Sequence, residues 1–144
     1  MAGSSFQVNV PSGFASADVQ NLSATEKELA HSMGLSEDEF RGRKFEYLIA
    51  EQWRFSRGRE LGKLVEQVLA ELEGRYRLLE VTWNRDTKTW RLGIQGPSGF
   101  QNVVLKGDLA DLVLDYRTRG EFDRLRNMVL FGLGLTDLVF KGRR

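Results

Sequence analysis

Trp83-Asn84-Arg85-Asp86-Thr87-Lys88-Thr89-Trp90 lies past the middle of this 144-residue chain and decides how the rest is read. Before it, Leu79, Val81 and Trp83 alternate with Glu80 and Thr82; after it, Trp90, Leu92 and Ile94 alternate with Arg91 and Gly93. A period of two marks a strand with one buried face, so the two runs are the arms of a β-hairpin. The six polar residues between the indoles form the turn. The indoles then face each other across the strands, a pairing that stabilises a hairpin by roughly 0.2–1 kcal/mol.

Downstream, Gly96-Pro97-Ser98-Gly99 has turn composition and introduces a third strand at about residues 101 to 106. Asp108 is placed to cap a helix with Leu109, Leu112, Val113 and Tyr116 inward, and Gly120 separates it from a last helix with Phe122, Leu125 and Val129 inward. Residues 135 to 140 suit an edge strand or an extended tail. Upstream, Leu61, Leu64, Val65, Val68, Leu69 and Leu72 fill one helical stripe that Gly74 ends, which predicts the core helix. A separate helix from Glu37 to Ser56 is expected to bury Phe45, Leu48, Ile49 and Trp53, with Gly58 as the break between the two. Ser23-Ala24-Thr25-Glu26 and Ser36-Glu37-Asp38-Glu39 are both capping boxes, so one helix starts after each serine. The expected fold is α+β: a helical N-terminal half packed on a small three-stranded antiparallel sheet and closed by two C-terminal helices. Residues 25–144 form this single domain, behind a low-charge arm at 1–24.

Composition narrows the chemistry. The chain has no cysteine, which removes disulfides, thiolate zinc sites and cysteine nucleophiles together, and its one histidine, His31, excludes paired-histidine metal sites. No metal or other cofactor is expected. Formal net charge is +1, so the molecule as a whole neither demands nor excludes a polyanion. No run is long and apolar enough to span a membrane and no secretion signal opens the chain, so cytoplasm or a virion is the expected location and no membrane partner is expected.

The arm carries one charge, Asp18, beside Phe6, Val8, Val10 and Phe14, and its residues 6 to 10 suit a short strand. A segment with this balance orders by adding to a partner or to its own body, and those four residues are its candidate partner-binding side chains. Between Arg41 and Lys63, seven cations stand against three acids. On a continuous helix Arg43, Arg54 and Arg57 fall within about 60 degrees of one another, with Tyr47 between them, as a stripe for phosphates or an acidic surface. Lys141, Arg143 and Arg144 make the C-terminus basic as well. Asp108, Asp111 and Asp115 share a helix side, an arrangement that needs no metal, and Gly132-Leu133-Gly134 lacks the strand and helix context of a nucleotide loop.

Four resemblances bear on fold and function. The turn of the hairpin is similar to the second hairpin loop of the immunoglobulin-binding domain of protein G. Leu29, Ala30, Met33, Gly34, Leu35 and Phe40 fit the spacing of a helix-turn-helix, although Glu37, Asp38 and Glu39 would bring negative charge to phosphates. Leu22 to Lys27 with Gly34 to Phe40 resembles a segment in the tail of head-maturation protease and scaffold proteins of Mu-like phages, which implies a phage setting and a capsid-related partner. Gly42 to Ala50 is similar to the opening helix of restriction-endonuclease-like folds. The metal-binding acid and acid-x-Lys of that family have no counterpart: Glu80-Val81-Thr82 lacks the lysine, and Asp86-Thr87-Lys88 falls in the turn.

These readings converge on a non-enzymatic interaction or assembly protein, phage- or prophage-encoded and virion-associated, whose partner is another protein or its own copy. A nucleic-acid-binding protein with a helix-turn-helix-like element is the alternative, and an inactive or unusual nuclease-like protein the third reading.

Overall fold

A computed structural model describes residues 6–141. The fold is α+β, in the order β1 (Gln7–Asn9), α1 (Ala24–Ser32), α2 (Glu37–Ala70), β2 (Arg77–Asn84), β3 (Thr89–Gly96), β4 (Gly99–Lys106), α3 (Gly107–Tyr116), α4 (Arg119–Gly132) and α5 (Thr136–Lys141). Two compact units share the chain: one ends its first segment at Val10 and resumes at Phe55, and the other is Pro11–Arg54. Helix α2 contributes its first half to the second unit and its second half to the first.

The hairpin stands where its alternation put it. Trp83 pairs with Trp90 and Asn84 with Thr89, so the turn shrinks to four residues. Asn84 Oδ1 accepts the amides of Asp86 at 2.9 Å and Thr87 at 3.1 Å, which closes the turn through a side chain. The indole centroids are 5.0 Å apart and inclined by 56°. One residue breaks the expected alternation. Between Leu78 and Glu80 the register slips against Gly93, so Leu79 is a bulge residue and Leu78 takes the buried place in its stead.

The sheet differs from the expected three antiparallel strands. Its order is β1-β2-β3-β4, and β1 pairs parallel with β2, Val8 beside Val81, so the sheet is four-stranded and mixed. Cross-strand rows line its inner face: Val81, Leu92 and Val103 in one, Trp83, Trp90 and Leu105 in the next, all buried. Leu61, Val65, Val68 and Leu69 of α2 join them from the stripe read in the sequence. Phe6, Val8 and Val10 pack half-buried against the same core.

Several helix boundaries also need correction. Residues 37 to 70 are one uninterrupted α2, not two helices with a break at Gly58. Gly58 is there for space: a Cβ on it would come within 2.7 Å of Val8 and 2.8 Å of Trp90. Helix α3 starts one residue before Asp108, which does not cap it, and buries Ala110, Val113 and Leu114, while Leu112 and Tyr116 face outward. Three helices, not two, follow the sheet, because residues 136 to 141 form α5 and not a strand or tail. Phe122, Leu125 and Val129 of α4 do face inward as read. Of the basic C-terminal residues, Arg143 and Arg144 lie outside the described residues.

In the 11–54 unit, both capping boxes are present. Ser23 Oγ accepts the Glu26 amide while Glu26 Oε1 accepts the Ser23 amide, and Ser36 and Glu39 repeat the exchange at the start of α2. Leu22, Ala30 and Phe40 form a small core with Phe14 and Leu35 against it.

Docking of β1 depends on Gly62, where any Cβ would fall within the Phe6 ring. Gly62→Ala is therefore expected to cost about 1–3 kcal/mol in urea unfolding. The loss should shrink markedly when Phe6→Ala is introduced first. Equal losses on both backgrounds would show that Phe6 does not occupy that site.

Candidate interaction surface

The first half of α2 carries two opposed faces, and the chain covers one of them itself. Phe40, Lys44, Tyr47 and Glu51 recur at three- and four-residue spacing, so they share a side of the helix. Residues 12 to 26 lie along that side. Glu51 accepts from the Ser12 hydroxyl at 2.8 Å and from the Gly13 amide at 2.7 Å. Phe14 stands edge-on to Phe40 at 6.4 Å and tilted against Tyr47 at 6.2 Å.

Lys44 is the anchor of this arrangement. One of the seven cations between Arg41 and Lys63, it is buried, at 1% exposure. Its ammonium donates to the Asp18 carbonyl at 2.8 Å, pairs with Glu26 Oε2 at 2.7 Å and lies 5.4 Å from the centre of the Phe14 ring. A buried ammonium is tolerable only with such partners, because desolvating an unpaired charge costs several kcal/mol. Glu26 thus serves twice: one oxygen caps α1 and the other holds Lys44. The Lys44 hydrogen bond, reinforced by the Ser23 amide, keeps the Glu26 carboxyl below the ordinary glutamate range. Asp18 is lowered too, chiefly by the Asn21 amide, and Glu39 by the Ser36 amide.

The other face of α2 is the one expected to be buried, and here the sequence reading fails. Phe45 and Ile49 are 55% and 50% exposed, Trp53 stands exposed one turn further, and Leu48 is half-buried beside them. The arm packs against the opposite side, so these apolar residues at i, i+4 and i+8 form an outward stripe. The Arg54 guanidinium lies over the Trp53 ring, 4.7 Å from its centroid.

The structure distributes the residues singled out in the sequence as follows. Phe6, Val8 and Val10 are turned toward the chain's own core through β1, and Phe14 toward the small core around Phe40. Arg43 and Tyr47 are exposed. Arg57 is drawn into an ion pair with Asp115, which also accounts for one of the three aspartates of α3. Among the described residues no group of three or more His, Asp or Glu side chains is arranged to hold a metal ion. Glu80 pairs with Arg91 at 3.0 Å. His31 is exposed near the end of α1, and Gly132 ends α4 with Gly134 two residues beyond, at φ 77°. No helix among the described residues is long and apolar enough to cross a membrane.

Lys44 and Glu26 generate two predictions. Lys44→Met keeps the stem but strands the Glu26 carboxylate, and is expected to destabilise the 11–54 unit by about 3 kcal/mol. Amide hydrogen exchange in α1 measures this; a loss no larger than about 1 kcal/mol, the worth of a surface pair, would show that the buried pair does not hold the unit. The pH dependence has a fixed sign. A folded-state pKa below the unfolded one contributes stability that is complete above the unfolded value, about 4.3 for glutamate, and lost as pH falls through the folded one. Protection of α1 should therefore decline below that value in the wild type, and Glu26→Gln should flatten that decline. An unchanged profile in Glu26→Gln would assign the acid sensitivity elsewhere.

No protein-family model, no curated protein and no solved structure matches this chain.

Proposed function

We propose that this chain is a protein-binding or assembly module that works through the Phe45/Ile49 face of α2, and that it carries out no bond-making chemistry. The observation that supports this reading is the exposure of large apolar side chains on one side of a helix against whose other side residues 12 to 26 pack at Phe40, Lys44 and Glu51. Clustered exposed apolar residues on a helix face are characteristic of partner-binding surfaces. With Arg43 exposed and the Arg54 guanidinium stacked on Trp53, the neighbourhood favours an apolar segment of a partner with acidic residues beside it. The arm is not the proposed contact, because Phe6, Val8, Val10 and Phe14 are committed to the chain's own two cores. The resemblance of residues 22 to 40 to proteins of Mu-like phages points to a capsid-related partner.

The nucleic-acid reading is the weaker one. Of the Arg43, Arg54 and Arg57 stripe, Arg57 is paired with Asp115, and elsewhere in the same cationic run Lys44 is buried and Arg41 is held by Glu37 and Asp38, which reduces the charge offered to phosphates.

Phe45→Asp with Ile49→Asp tests the proposal, since both sites are exposed and the fold should tolerate the change. Peptides selected from a random display library on the wild-type chain are expected to be apolar with acidic flanks and to lose binding to the double variant by at least about tenfold. Selected peptides that bind both proteins equally would reject the α2 face. Retention of duplex DNA at about 50 mM salt, with steep loss at higher salt, would favour the nucleic-acid reading instead.

A further inference from the structure

Strand β4 is one of the two edges of the sheet, the other being the three-residue β1. Among the described residues it pairs only with β3, in a register that runs unbroken from Thr89 beside Lys106 to Gly96 beside Gly99. Proteins ordinarily blunt such an edge with proline, a bulge, short length or charge. This one has none of the first three over eight residues, and its single charge, Lys106, is the last residue of the strand. On the face away from the core it presents Phe100, Asn102 and Val104 in alternate places, with Phe100 and Val104 49% and 57% exposed. The Phe100 ring lies over Gly93, where a Cβ would approach within 2.8 Å of it, and Asn102 accepts a hydrogen bond from Arg91 at 3.1 Å. Both side chains are therefore held in place by the neighbouring strand.

The order Phe100, Asn102, Val104 is close to a palindrome in chemical character, and that determines what the edge fits. We infer that β4 pairs antiparallel with β4 of a second copy about a two-fold axis at Asn102, joining two sheets into one of eight strands. In that register Phe100 faces Val104 of the second copy, Val104 faces its Phe100, and the two Asn102 amides meet on the axis. Aromatic with β-branched residues is among the favourable cross-strand pairings. A slip of two residues in one direction sets Phe100 against Lys106, and in the other against Asn102. A slip of one puts the two outer faces on opposite sides of the sheet. The charges agree with the same register: each Lys106 falls beyond the overlap, opposite Ser98, and the two lysines sit at opposite ends of the pair. Below the strand, Gly132 of α4 rests on Val103, where a Cβ would lie 2.6 Å from Cγ1, and Met128 stands one turn earlier on the same side, 39% exposed. Met128 extends the apolar contact from the sheet to the helix layer.

A residue on a two-fold axis meets itself, and this supplies the test. The full chain is expected to sediment as a dimer over a concentration series. Asn102→Lys and Asn102→Asp should each weaken self-association by at least about tenfold, because like charges are forced together. Mixing the two variants should restore a dimer, identified by native mass spectrometry as one copy of each. The restored mixed dimer also shows that both variants are folded, and Val104→Lys, which sets a charge against Phe100 of the second copy, should weaken association as well. A wild type that stays monomeric throughout overturns the proposal. So does a dimer indifferent to Asn102→Lys. A dimer broken by Ile49→Asp but not by Asn102→Lys would also overturn it, and would assign self-association to the α2 face.

Discussion

The contact between Trp83 and Trp90 organises the sheet unit because each indole also meets a helix at a glycine. Trp90, fully buried, lies where a side chain on Gly58 of α2 would have to be, 2.8 Å from its would-be Cβ. Trp83 does the same at Gly107, the first residue of α3. The Gly107 amide donates to the Lys88 carbonyl at 2.9 Å, so the hairpin turn itself is bonded to the start of that helix. One cross-strand pair thus sets how closely two helices approach the sheet. Burying two indoles removes a few hundred Å² of apolar surface from water, far more than any single ion pair on this surface can offset.

What the sequence made legible is what depends on local chemistry. Alternation around the Trp pair located β2 and β3, the Ser-x-x-Glu patterns located the starts of α1 and α2, and the stripe from Leu61 to Leu72 located the helix that covers the sheet. What it hid depends on partners distant in the chain. Gly58 reads as a helix break, yet it marks a close approach to Trp90, because glycine serves both purposes and only the far residue distinguishes them. Residues 6 to 10 read as a short strand and β1 stands within them, but its parallel partner lies 73 positions away, and three residues carry too little signal to name so remote a neighbour.

The interaction surface shows the same limit more sharply. Periodicity reports that Phe45, Leu48, Ile49 and Trp53 lie together but not which side the rest of the chain covers. That choice was made by Lys44, whose ammonium finds Asp18 and Glu26 and so brings residues 12 to 26 to the opposite side of α2. A lysine among arginines looks like part of a solvated face. Its environment differs because three acceptors, a carbonyl, a carboxylate and an aromatic ring, converge on one atom. With that face covered, the apolar residues left outward become the chain's most distinctive exposed chemistry.

The parallel pairing of β1 with β2 has a consequence for how the molecule is made. Val8 cannot meet Val81 until the intervening residues have left the ribosome, which at 5–20 residues per second takes roughly 4 to 15 seconds. Throughout that interval Phe6, Val8 and Val10 have no hydrophobic cover from the sheet. During synthesis, therefore, the apolar residues of the arm stay open to other contacts until β2 has emerged.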